Sequence, residues 1–268
     1  MTTTTIRPAA VAGMFYPGDR RSLALVIRRM LDATSPPPLH PKALIVPHAG
    51  YVYSGPVAAS AYALLKDMRE VIRRVVLLGP VHRVWVQGLA LPAVDAFETP
   101  LGVVYLDEAA MASLLQLPQV EVNEAAHAWE HSLEVHLPFL QTVLNDFVLV
   151  PLAVGGASPE QVAEALEMVW GGSETLIVVS SDLSHYLPYD EAGQSDQATA
   201  RAILDLKTDL VGEQACGAHP INGLMLAARR HHLTPHLLDL RNSGDTAGDK
   251  SRVVGYGAFA LTEVANVH

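Results

Sequence analysis

Ala43-Leu44-Ile45-Val46-Pro47-His48 decides the fold, because it is a continuous apolar run that ends on a histidine. A strand with one wet face alternates apolar and polar residues, whereas a run without alternation is buried on both faces, as in a parallel or mixed sheet between helices. Val75 to Leu78, Phe147 to Val154 and Thr175 to Ser180 repeat the pattern, and Gly88 to Pro92 and Val253 to Leu261 are further strand-like stretches. Helical spacing fills the intervals at Arg20 to Leu31, Pro56 to Met68, Glu108 to Leu115, Ser132 to Leu144, Pro159 to Val169, Gln197 to Leu206 and Ile221 to Arg230. Strands that alternate with helices define an α/β fold with a central mixed, mostly parallel sheet flanked by helices. Asp19 and Ser158-Pro159 supply helix N-caps, and Pro138 inside the fourth helical stretch predicts a kink. Ser35-Pro36-Pro37-Pro38 reads as a connection rather than a domain boundary, and without an internal repeat a single domain over 1–268 is expected.

Composition narrows the function. Half of the 268 residues are hydrophobic and 17% are charged, which fits a globule and excludes a disordered chain. The net charge of -10, without any basic stripe, removes the footprint of a nucleic-acid binder and leaves small molecules or proteins as partners. Cys216 is the only cysteine, so neither an intramolecular disulfide nor a Cys-rich zinc site is available. No apolar run approaches the ~18 residues of a membrane span and none resembles a signal-peptide core, so the expectation is a cytoplasmic protein without a membrane partner.

The chemistry is positional. His48 follows one strand, His82 follows a second through Gly79-Pro80, and His185 follows a third by way of Ser181 and Asp182. Ligands of open α/β sheets bind beyond the carboxyl ends of the strands, so these imidazoles are expected to meet as a metal or acid/base site. His40, His231, His232, His236 and His268 read as ordinary loop or surface residues. Glu130-His131-Ser132-Leu133-Glu134-Val135-His136 opens a helix; it lacks the two histidines at i and i+4 of the zinc protease motif, and fits charge complementarity or support of a ligand. In the glycine-bearing loop 241–251, Asp245 or Asp249 offers the carboxylate that two histidines need, although each also suits a turn. Cys216 precedes a helix and reads as a small residue at a tight turn, while Phe15, Tyr16, Tyr51 and Tyr53 either wall a pocket or fill core.

These motifs together resemble the Memo family: Pro-His-Ala-Gly-Tyr at 47–51, Leu-Gly-Pro-Val-His at 78–82, Glu-His-Ser-Leu-Glu-Val-His-Leu-Pro at 130–138, Ser-Ser-Asp-Leu-Ser-His at 180–185 and Cys-Gly-Ala-His-Pro-Ile at 216–221. Bacterial and archaeal members are often named AmmeMemoRadiSam system protein B, which implies an Amme-type protein and a radical-SAM enzyme as companions. The resemblance also implies a fold similar to LigB-type class III extradiol dioxygenases, which hold non-haem iron(II) through two histidines and a carboxylate. Carried over by motif, His48 and His82 become ligands, with Asp245 as the third where animal relatives place a cysteine. Asp182 and His185 become the catalytic pair, with Asp182 hydrogen-bonding His185, while Phe15, Tyr51, Tyr53, His131 and His136 face a small-molecule substrate. Iron(II) is the expected metal, with copper or zinc as alternatives. The competing functions are a peptide- or anion-binding module using the same cleft, and a metal-dependent hydrolase.

Overall fold

A computed structural model describes residues 4–263; His268 lies outside them. The large sheet is built on β2 (Pro41–Val46), β3 (Arg74–Pro80), β8 (Val148–Val154) and β9 (Thr175–Ser180), mutually parallel in the order β2-β9-β3-β8. Beyond β8 lie β4 (Leu89–Leu91) and β7 (Val120–Val122). Beyond β2 lies β12 (Val253–Thr262), which pairs antiparallel with β2, with β10 (His185–Leu187) and with β11 (Thr234–Asn242). β1 (Ile6–Arg7), β5 (Ala96–Thr99) and β6 (Gly102–Tyr105) form a separate three-stranded sheet. The architecture is a single-domain α/β fold with mixed sheets flanked by helices.

The unalternating runs have the predicted consequence. Ile45, Val76, Leu78, Ile177 and Val179 enter a core under α6 (Pro159–Met168) and α8 (Ala218–Arg230). Their neighbours Leu44, Val46, Leu77 and Val178 enter a second core under α1 (Arg20–Asp32), α2 (Tyr51–Tyr62) and α5 (Leu137–Val143). Each fully buried aliphatic side chain stabilises the fold by about 1.5–3 kcal/mol. Val46 pairs with Ser180 and Leu78 with Val179, so β2, β9 and β3 finish level and deliver their following residues to one edge.

The helix caps match expectation: Asp19 accepts from the Ser22 amide at 2.9 Å, and Ser158 forms a capping box with Gln161. Three stretches differ from the sequence reading. α2 begins at Tyr51 instead of Pro56, nucleated by amides of Tyr53 and Ser54 on the Gly50 carbonyl, so Pro56 lies inside it. The stretch 132–144 splits into a 3-10 turn (Glu134–His136) and α5, where Pro138 occupies the first turn; it starts a helix instead of kinking one. α7 (Tyr189–Leu204) begins well before Gln197, its first turn favoured by Asp190 and Glu191 at the positive end of the helix dipole. Among the described residues the remaining α-helices are α3 (Glu108–Leu114) and α4 (Glu124–Ala128), and a 3-10 helix (Ala63–Met68) continues α2. Among the described residues, no helix is long and apolar enough to cross a membrane.

Candidate metal centre

His48 leaves β2 with its amide donating to Asp182 Oδ1 at 2.8 Å and its Nδ1 2.6 Å from Ser180 Oγ. The Ser180 hydroxyl gives its one proton to the Ser132 carbonyl at 2.6 Å, so it accepts from His48. That fixes the tautomer: Nδ1 carries the hydrogen and Nε2 presents a lone pair. Burial, then the charges of neighbouring histidines, holds the His48 pKa well below 6.5 and keeps the ring neutral.

His82 is oriented by Glu130. The carboxylate accepts from the His82 amide at 2.6 Å and from Nδ1 at 2.8 Å, and takes the amides of His131 and Ser132 at 3.0 Å each. Burial opposes ionisation of Glu130, but the hydrogen bond and charge of His82, with the backbone donors, pull its pKa down to about 2. An ionised carboxylate only accepts, so His82 also donates through Nδ1 and offers Nε2.

His131 closes the triangle. Ring centroids lie 5.2 Å apart for His48 and His82, 5.3 Å for His48 and His131, and 4.7 Å for His82 and His131. One nitrogen from each lies within 4.8 Å of the other two, close enough to share a cation. Burial lowers the His131 pKa to about 4, and the Phe15 ring covers it at 4.6 Å. Cys216 adds a sulfur 3.4 Å from His48 Nε2; burial, then the Asp182 charge, pushes its thiol up to about 12. Converging imidazoles, with the outer nitrogens of His48 and His82 fixed by hydroxyl and carboxylate, are the kind of donor set a transition metal takes.

The other expected site residues fall in varied places. Asp245 does not join the histidines: its carboxylate accepts from the Asn242 amide at 3.0 Å and from Tyr189 Oη, closing a 3-10 turn against α7. Asp249 is exposed and bonds Ser251. Asp182 is buried and its Oδ1 accepts from the His48 amide; among the described residues it makes no hydrogen bond to His185, so the expected relay is replaced by a brace on His48. Burial raises the Asp182 pKa to about 7 against the lowering pull of the His48 and Ala49 amides. His185 is partly buried, its pKa lowered by burial, and it senses the charge of His82. His136 is buried with Nδ1 2.8 Å from Tyr62 Oη, and Tyr51 is buried with its hydroxyl on the Val135 carbonyl, so both are core residues in this state. Tyr53 remains exposed one turn after His48.

The sequence offered support of a ligand as one reading of the Glu130 segment, gave Cys216 no such role and made His131 a substrate contact. The legible signal was the adjacency of Glu130 to His131, an acceptor beside a candidate ligand. The chain matches the family described as Memo-like protein over residues 7–260. It belongs to the Memo family. This Memo chain is 37% identical to a MEMO1 family protein of Aquifex aeolicus over 263 residues, covering 94% of this chain and 97% of that protein. It is 36% identical to one of Ignicoccus hospitalis over 280 residues (94% and 97% covered), and 33% identical to one of Metallosphaera sedula over 286 residues (96% and 99% covered).

Proposed function

We propose that this Memo chain is a non-haem iron(II) redox enzyme of the dioxygenase type, acting on a small molecule that reaches His48, His82 and His131. The observation that carries the reading is the convergence of three imidazoles within 4.8 Å, with Glu130 and Ser180 fixing the outer nitrogens of two. His48 and His82 are the principal ligands and His131 the third; the Cys216 sulfur stands beside His48 to complete the set. When bound, the metal supplies Lewis acidity and one-electron chemistry toward dioxygen. The protein's own share is positional. Phe15 packs on the His131 ring, Glu130 holds His82 and the His131 backbone in register, and Asp182 braces the turn that carries His48. With its pKa near 7, Asp182 is poised to exchange a proton at neutral pH, and His185 is the nearby base.

Anaerobic reconstitution should give about one iron per chain, with His48→Ala and His82→Ala abolishing it, and oxygen uptake with catechol-like compounds should follow loading. Full metal occupancy in either variant would end this reading. Met14, Val52, Tyr53, Trp85 and Tyr186 are exposed apolar side chains near site residues in sequence, and a peptide-binding surface that uses them is the second reading. Retention of peptide affinity by metal-free protein would support it over the first.

A further inference from the structure

A cavity of about 220 Å³ opens beside α4, and its lining includes none of the three clustered histidines. It is smaller than the ~300–1,000 Å³ of pockets for drug-sized ligands, so it suits one ring with a short substituent. Its walls include Pro92, Val94 and Trp129, which is exposed at the end of α4. The polar groups of the lining have unequal availability. Arg7 is turned toward protein acceptors: Nε donates to the His127 carbonyl at 2.7 Å, one terminal nitrogen binds Glu134 at 2.7 Å, the other binds the Glu130 carbonyl at 2.8 Å, and Cζ lies 4.8 Å over the Phe97 ring.

His127 is free on one side. It is 2% exposed, and its Nε2 lies 2.8 Å from the Ala90 carbonyl, which can only accept. Nε2 therefore carries the hydrogen and Nδ1 is a lone-pair acceptor without a hydrogen-bond partner among the described residues. Burial holds the ring neutral, with a pKa lowered to about 4. Glu124, in the first turn of α4, contributes an exposed carboxylate to the same lining. Thus the two side-chain acceptors of the lining are His127 Nδ1 and the Glu124 carboxylate, the Arg7 charge is paired with Glu134, and the walls are largely apolar.

We infer that this cavity is a binding site for a small arylalkyl amine, its ring held by Trp129, Pro92 and Val94 and its ammonium hydrogen-bonded by His127 Nδ1 and attracted by Glu124. A carboxylate-bearing ring of the same size would face the Glu124 carboxylate and the His127 lone pair and bind more weakly than the amine. The site is independent of the metal reading, so metal-free protein serves for the test.

The probe is 2-phenylethylamine, titrated while Trp129 emission is followed, with Trp129→Phe identifying the responding indole. Saturable change is expected with the amine and weaker binding with phenylacetate. Glu124→Gln should weaken binding about fivefold, the scale of one exposed charge contact. Ala9→Phe, which fills the cavity and can be verified as folded by circular dichroism, should abolish it. Absence of a saturable Trp129 response in the wild type, an equal response to phenylacetate, or unchanged affinity in both variants would overturn the proposal.

Discussion

Glu130 touches no candidate metal position, yet its carboxylate takes four backbone or ring donors from His82, His131 and Ser132. Groups that orient ligands in this way change metal affinity by about 10–100-fold when removed. Glu130→Gln should therefore weaken iron(II) binding by that factor in a competitive chelator titration, whereas Asp245→Asn, occupied with Tyr189 and Asn242, should leave it unchanged. The buried histidines set a pH limit on the fold as well. His127 and His131 have pKa values lowered to about 4 and His136 to about 3, each chiefly by burial. Between pH 6.5 and 4 the unfolded chain takes up protons that the folded chain refuses, so their stability contribution is complete above 6.5 and is lost on acidification. Asp182 acts in the opposite sense: raised to about 7, it contributes stability below 3.8 that is lost as pH rises through 7. Three imidazoles outweigh one carboxyl, and denaturant titrations should show stability falling by a few kcal/mol from pH 6.5 to pH 4. A flat profile over that window would mean the histidines are not held neutral.

At the scale of elements, the segment from β1 to Tyr16 is a strap whose buckle is Glu134. This wholly buried carboxylate accepts from Arg7 at 2.7 Å, from the amides of Ala10 and Val11 at 2.8 and 2.9 Å, and from Tyr16 Oη at 2.6 Å. The strap then places the Phe15 carbonyl on the Tyr51 amide at 2.7 Å and the Phe15 ring over His131. Breaking a buried pair by removing one partner costs about 3–5 kcal/mol because the other charge is stranded. Arg7→Ala should lose that amount in chemical denaturation and also raise the solvent exposure of His131, visible as faster modification by diethyl pyrocarbonate. The pairing was not legible in sequence, since Arg7 and Glu134 are far apart in the chain and the motif at 130–138 does not point to Arg7. β2, β3, β8 and β9 were legible because burial on both faces leaves an unalternating run that few other structures produce. β11 was missed for the converse reason: it lies at the sheet margin, half-buried along most of its length, and its pattern is broken by an irregularity between Leu237 and Asp239. The strand-end rule found His48 and His82 but not His131, which arrives from the loop after α4 and is set in place by Glu130 and the Ser180–Ser132 bond.

At the scale of the whole molecule, the histidine triangle ties together parts that the sheet leaves separate. His48 belongs to the end of β2 and His82 to the end of β3, with β9 between them, while His131 comes from the segment that crosses their exit edge. A cation bound at that point would hold two strands and the crossing segment at once, and it would find no such arrangement in the unfolded chain. Binding confined to the folded state stabilises by RT ln(1 + [L]/Kd), about 2.7 kcal/mol at a free concentration of 100 Kd. For a chain of this size that corresponds to a rise in Tm of roughly 5–10 °C. Differential scanning calorimetry under argon, with and without iron(II), should show the rise in the wild type and its absence in His82→Ala. Because the shift depends on occupancy and not on turnover, it reads the centre whether or not a substrate is known. An equal rise in His82→Ala would place the stabilising metal somewhere other than among these three imidazoles.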